Sequence, residues 1–229
     1  MYKLVIANRN YSSWSLRAWL YLTQSNIPFE EVRISLFTDN WQSKIAKYSP
    51  AGRVPVLLDG DIAVWDTSAI FEYLREKHPE AVGWPESARA RAQARSISAE
   101  LHSGFLALRD ELPQNLRVRN KLEQSRLSDT CRQQITRVDE IWADCRKKYG
   151  DDGHWLFGEL SIADIMFTPV ALRFVSYEIP VSDRAGEFIG AVQGSQSVCE
   201  WIRAARAEPE SLSFIDNLEP AESSPLTLG

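Results

Sequence analysis

The chain has 229 residues, of which 44% are hydrophobic and 25% charged, and its formal net charge is -5. That length allows one or two ordinary domains, and the acidic balance lacks the basic footprint of a protein whose main partner is nucleic acid. No apolar run approaches the roughly 20 residues that span a bilayer, and Met1-Tyr2-Lys3 leads directly into a strand pattern without the features of a signal peptide. The expectation is therefore a cytoplasmic protein with neither a nucleic acid nor a membrane as partner. Cys131, Cys145 and Cys199 form no CxxC pair, and His78, His102 and His154 are widely dispersed, so no metal is expected.

Leu4-Val5-Ile6-Ala7 reads as a short strand. Leu16, Trp19 and Leu20 then recur at helical spacing, which predicts a helix over about residues 12–25 with Ser12, Ser13 and Ser15 at its start. A helix N-terminus exposes unpaired N–H groups and the positive end of the dipole. The junction is thus either an anion site edged with hydroxyls or a plain serine N-cap. Asn26-Ile27-Pro28 is a turn, and residues 29–34 alternate as a strand. Trp41 and Ile45 give residues 39–48 one short helical face. Residues 54–58, the Asp59-Gly60 turn and residues 62–65 predict a hairpin. Asp66-Thr67-Ser68 supplies caps for a helix that ends before Pro79. The order β-α-β-α-β-β-α predicts two parallel strands with an antiparallel hairpin beside them.

Residues 80–87 read as a linker, and beyond them the pattern is helical. Residues 88–112 run at helical period until Pro113, and residues 127–149 carry Ile135, Val138, Ile141, Trp142 and Cys145 on one face. Ser161-Ile162-Ala163-Asp164 is a capping box with Asp where Glu or Gln is usual. The helix it opens, to Tyr177, is apolar nearly all round and so belongs in a core. Residues 197–208 make a last helix with Val198, Trp201 and Ile202 facing inward, and the Pro/Ser-rich residues 219–229 read as a loose tail. The domains expected are 1–79, α/β; 80–87, linker; and 88–218, all-α helical.

Two stretches besides the serines bear chemistry. Pro55 removes a ladder donor at the start of an interior-looking strand, so it is either an edge proline or a cis Val54-Pro55 step that turns the Val54 main chain toward an extended peptide ligand. Asp66 and Thr67 either cap their helix or hold an amino-acid terminus, Asp66 taking the ammonium and the turn the carboxylate.

Together these stretches resemble the cytosolic glutathione S-transferases, of serine type and close to the zeta class of maleylacetoacetate isomerases. Ser12-Ser13-Trp14-Ser15-Leu16-Arg17 resembles the Ser-x-x-x-x-Arg helix start of serine-type members, and Val54-Pro55 matches their cis-proline step. Residues 66–74 are similar to the family's Glu-Ser-x-Ala-Ile-x-x-Tyr-Leu, and residues 161–164 match its capping box. The resemblance implies a thioredoxin-like first domain (βαβαββα), an all-α second domain and a homodimer. It implies glutathione as co-substrate and no metal. It places the catalytic hydroxyl five positions before Arg17, at Ser12, with Ser13 beside it. Val54 and Pro55 would pair with the cysteinyl residue, and Asp66 and Thr67 would hold the γ-glutamyl end. Trp41, Lys44 or Arg53 would meet the glycine carboxylate. The cysteines of a C-x-x-C frame are absent, which excludes dithiol exchange at this site.

The electrophile site is expected between the domains, with His102, Phe105 and Arg109 at helical spacing on the first helix of the second domain. Arg173, late on the apolar helix, resembles in a shifted register the arginine that binds a substrate carboxylate in the zeta class. The function implied is transfer of glutathione to a small electrophile. The alternatives are a glutathione-dependent cis-trans isomerase, whose usual third-position cysteine is here Trp14, and a non-catalytic glutathione-binding module.

Overall fold

The computed structural model describes residues 1–119, 124–150 and 153–216; the tail expected over 219–229 lies outside the described residues. The elements in order are β1 (Tyr2–Ile6), α1 (Ser13–Gln24), β2 (Phe29–Arg33), α2 (Trp41–Ala46), β3 (Val56–Asp59), β4 (Ile62–Trp65) and α3 (Thr67–Lys77). Then follow α4 (Ala88–Ser103), α5 (Leu106–Glu111), α6 (Asp129–Tyr149), α7 (Ile162–Ser176), α8 (Asp183–Gly194), α9 (Gln196–Ala207) and α10 (Ser213–Asp216). No helix among the described residues is long and apolar enough to cross a membrane. The chain divides into two compact units, residues 1–83 with 195–210, and residues 84–194 with 211–229.

The first unit is built on a four-stranded sheet of order β2-β1-β3-β4. β1 and β2 are parallel, with Val5 opposite Val32, because a helix connects them. β3 runs antiparallel to β1, with Val5 opposite Val56, and pairs antiparallel with β4 through Val56 and Trp65. Val5, Ile34, Ile45 and Val56 form a buried cluster on which Trp41, Tyr48 and Val54 pack. The Val54-Pro55 bond is cis, and β3 begins at Val56, two residues later than the sequence pattern suggested, because proline brings no donor to the ladder. α1 and α3 meet through stacked Tyr21 and Phe71, whose ring centroids are 4.5 Å apart.

α9 belongs to this first unit, whereas the sequence reading assigned it to the helical segment. Its inward face explains why. Trp201, fully buried, meets Trp19 of α1 with centroids 5.3 Å apart, and the Gln24 side chain donates to Ser195 and Ser197.

In the second unit Trp142 of α6 is the centre of an aromatic cluster. Its ring lies 5.3 Å from Phe174 of α7 and 5.0 Å from Phe188 of α8, so three helices share one core. The single helix expected over residues 88–112 is two helices. Gly104 ends α4, with its N–H bonded to Glu100 O, and a Cβ there would stand 2.9 Å from that same oxygen. Phe105 then turns the chain through a left-handed conformation, φ 60°, before α5. α7 keeps Pro169 inside it and is buried on all sides.

Candidate active site

β1 ends at Ile6, and the loop 7–12 leads from it to α1. Nearly every polar group of this loop has a partner. Tyr11 and Ser12 N–H donate to Asn8 O, while the buried Asn8 Oδ1 accepts from Leu36 N at 2.8 Å. Ala7 N–H donates to Ser15 Oγ at 3.0 Å. Arg9 N–H and Asn10 N–H donate to the two oxygens of Glu208, at 2.9 and 3.3 Å, and Trp201 Nε1–H donates to Arg9 O at 3.1 Å. The loop is therefore fastened from four directions, which is the condition for holding a side chain at its end in one place.

That side chain is Ser12, the N-cap of α1. Its Oγ accepts from Ser15 N–H at 3.2 Å and lies 2.8 Å from Ser15 Oγ, to which it donates. Ser12 is 9% exposed and Ser13 5%, so both sit just beneath the surface at the positive end of the helix. The two readings of these serines thus coexist: Ser12 is a cap, and its hydroxyl hydrogen is free to rotate toward another acceptor while Ser15 supplies a proton in its place. Arg17, five residues on, is fully buried with its guanidinium 4.5 Å from the Trp14 ring.

The sheet register brings the other two stretches to the same end. Val56 lies opposite Val5, so the cis Val54-Pro55 step comes beside the end of β1; Trp65 lies opposite Val56, so Asp66 and Thr67 come beside it in turn. Asp66 has φ 74° and ψ 135°, a region that non-glycine residues rarely adopt, and its Oδ1 accepts from Ser68 N–H at 2.8 Å as the cap of α3. Strain of this kind persists only where the surroundings fix it. Thr67 is fully buried, and its hydroxyl has no hydrogen-bond partner among the described residues; the exposed hydroxyl of this turn is that of Ser68. Trp41 packs with Val54 on the core cluster and meets Phe37 at 5.3 Å. Lys44 and Arg53 are exposed.

The second group of expected residues lies in the second unit, and the premise of their spacing fails. His102 is on α4, Phe105 is in the break and Arg109 is on α5, because Gly104 interrupts the helix. Arg109 turns back to the end of α4, donating to Leu101 O at 2.6 Å and Gly104 O at 3.3 Å. Arg173 on α7 is 5% exposed and donates to Leu112 O and Pro169 O. Burial, and after it the Arg109 charge, brings the Arg173 guanidinium down to about 9, and burial lowers Arg109 as well. Sequence reasoning named these two arginines but missed Glu208, whose spacing of some 200 residues from the loop carries no local signal.

Residues 11–77 match the family model for the Glutathione S-transferase, N-terminal domain. Residues 11–77 are thus similar to a glutathione S-transferase N-terminal domain. The matched segment runs from the α1 cap through α3, so it takes in the serines, the cis step and the Asp66 turn. A probable maleylacetoacetate isomerase of Caenorhabditis elegans is 35% identical over 101 residues, which is 44% of this chain and 46% of that protein. The maleylacetoacetate isomerase of Rattus norvegicus is 28% identical over 183 residues, covering 76% of this chain and 78% of that one. In three of the curated relatives, the nematode protein among them, the match spans less than half of their length. A glutathione transferase homologue from Burkholderia, solved with bound glutathione, superposes with a TM-score of 0.64 over 90% of this chain and 98% of its own, at 22% identity. That likeness establishes the transferase fold.

Proposed function

We propose that the chain is a glutathione transferase in which the start of α1 holds the glutathione thiolate for attack on a small electrophile. The convergence of Ser12, the cis Val54-Pro55 step and the Asp66 turn at one end of the sheet carries this reading. Each segment answers one part of a γ-glutamyl tripeptide. The Asp66 carboxylate suits the ammonium group and the turn at Thr67 and Ser68 suits the carboxylate beside it. The Val54 main chain suits the cysteinyl amide, and Trp41, Lys44 and Arg53 are the candidates for the glycine carboxylate. A thiol becomes a good nucleophile on ionising. A hydroxyl donating to sulfur at a helix N-terminus favours the anion, releasing the thiol proton to solvent. The sulfur then bonds to the electrophilic carbon as the leaving group departs with its electron pair. On this reading the protein works as a cytoplasmic homodimer. Titration calorimetry with glutathione at millimolar concentration is expected to show saturable heat; its absence would sink the reading.

A second reading, a glutathione-dependent isomerase of a carboxylated substrate, is favoured by the isomerases among the relatives and by the Arg109–Arg173 pair. The buried Arg173 guanidinium, whose basicity is lowered by burial and by the Arg109 charge, favours an anion beside it. Arg173→Met is expected to raise KM for a carboxylate-bearing electrophile by about tenfold or more, the worth of one charge-assisted hydrogen bond, and to leave KM for a neutral haloarene unchanged. Equal effects on both substrates would remove the argument for a carboxylate.

A further inference from the structure

We infer that Glu208 is a positioning residue for the thiol site: its two carboxylate oxygens hold the Arg9 and Asn10 amides and so fix the loop that delivers Ser12. The inference rests on the reading of Ser12 as the partner of sulfur.

The geometry is that of a clasp closed from the far end of the chain. The Glu208 side chain is 6% exposed, and its oxygens take one backbone N–H each from consecutive loop residues, 198 or more positions away. Arg33, 3.3 Å away, balances its charge. On the other side of the same peptide, Trp201 Nε1–H holds Arg9 O, so Arg9 is gripped at both its N–H and its C=O by the α9 segment. A buried carboxylate needs such donors, and the loop amides past the end of β1 supply them. Two residues further on, Glu210 does a different job. Burial opposes its charge, but hydrogen bonds from Arg33 at 2.8 Å and Ser35 at 2.5 Å prevail and hold its carboxyl down to about 2. Glu210 therefore anchors the segment to the end of β2, whereas Glu208, ion-paired with Arg33 and Arg9, also accepts both loop amides. Preorganisation of this sort decides whether a hydroxyl meets a reacting atom squarely or misses it.

The test compares Glu208→Ala, Glu208→Gln and Glu210→Ala in the full chain. Without ligand, the Arg9 and Asn10 amides of Glu208→Ala are expected to exchange with solvent about tenfold faster or more, as loss of a charged acceptor requires. With glutathione, the ultraviolet absorbance of the bound thiolate at neutral pH and kcat should fall together several-fold, while KM for glutathione moves by less than about twofold. Glu208→Gln keeps one acceptor oxygen, so one amide should retain its protection and the other lose it; this variant carries the test if the alanine variant does not fold. Glu210→Ala should leave amide exchange and thiolate absorbance as they were. The inference is overturned if Glu208→Ala changes only the melting temperature, if both amides stay protected in Glu208→Gln, or if Glu210→Ala produces the same loss. Should the unmutated protein show no thiolate with glutathione, the functional reading falls, and exchange at Arg9 and Asn10 still decides what Glu208 holds.

Discussion

Ser12→Gly is expected to cut kcat about 10- to 100-fold at neutral pH while barely changing the stability of the fold. The choice of glycine separates two jobs that alanine would confound. As the N-cap of α1, Ser12 accepts the Ser15 N–H; alanine at such a position costs about 1 kcal/mol of stability and glycine only a few tenths. The hydroxyl hydrogen lost in either variant is worth roughly 1.5–3 kcal/mol to a bound anion, or about one to two units in the thiol pKa. A raised thiol pKa leaves less thiolate at neutral pH. The deficit must therefore shrink as pH rises through the new value, and a pH–rate profile with thiolate absorbance reads both the size and the sign. Ser13→Ala, one position on and 5% exposed, is expected to shift the profile less. A larger shift there would move the sulfur contact by one residue.

The parts of the candidate site are legible in the sequence as local punctuation. Serines before a helical period, a proline before a strand and an Asp-Thr-Ser cap each mark a break in hydrophobic pattern, and a sheet of order β2-β1-β3-β4 then brings such breaks to one end. What holds the site was not legible. Asn8 within the loop, and Ser15 and Glu208 outside it, fasten the loop through hydrogen bonds whose partners lie 28, 8 and 199 residues off, and no period or motif encodes such a meeting. The burial of Thr67 was also out of reach, since a cap and a ligand donor read alike.

The helical half shows the same division. α6 and α7 announce themselves, one by an amphipathic face and the other by a capping box before an apolar run. α8 carries Gly186, Gly190 and Gly194, poor helix formers whose faces stand open, so it was missed; Phe188 packing on Trp142 is what makes it a helix. Gly104 went unread for the opposite reason. Its neighbours keep the helical period, and only the Glu100 oxygen it must clear shows why the helix stops.

Asp164→Ala is expected to destabilise the protein by about 2–6 kcal/mol, the cost of leaving two buried N–H groups without acceptors. Oδ1 of Asp164 accepts from Leu156 N–H at 2.8 Å, and Oδ2 accepts from Ser161 N–H at 2.8 Å and Ser161 Oγ at 2.7 Å. These bonds close the N-terminus of α7, whose Phe167 and Phe174 pack on Trp142 of α6, so a loosened cap loosens the core of that unit. A loss of this size is a large part of an ordinary domain's stability, and it should lower the urea midpoint followed by far-ultraviolet circular dichroism. The pH dependence carries a second signature. Complete burial raises the Asp164 carboxyl to about 6 despite its hydrogen bonds, above the unfolded value near 3.9. The folded chain thus keeps a proton that the unfolded chain releases. The linked stability is fully present below about pH 4 and fades as pH rises through 6, a span worth roughly 3 kcal/mol. Asp164→Asn, which cannot ionise, should flatten stability between pH 4 and about 6. An unchanged slope in that variant would assign the titration to another group.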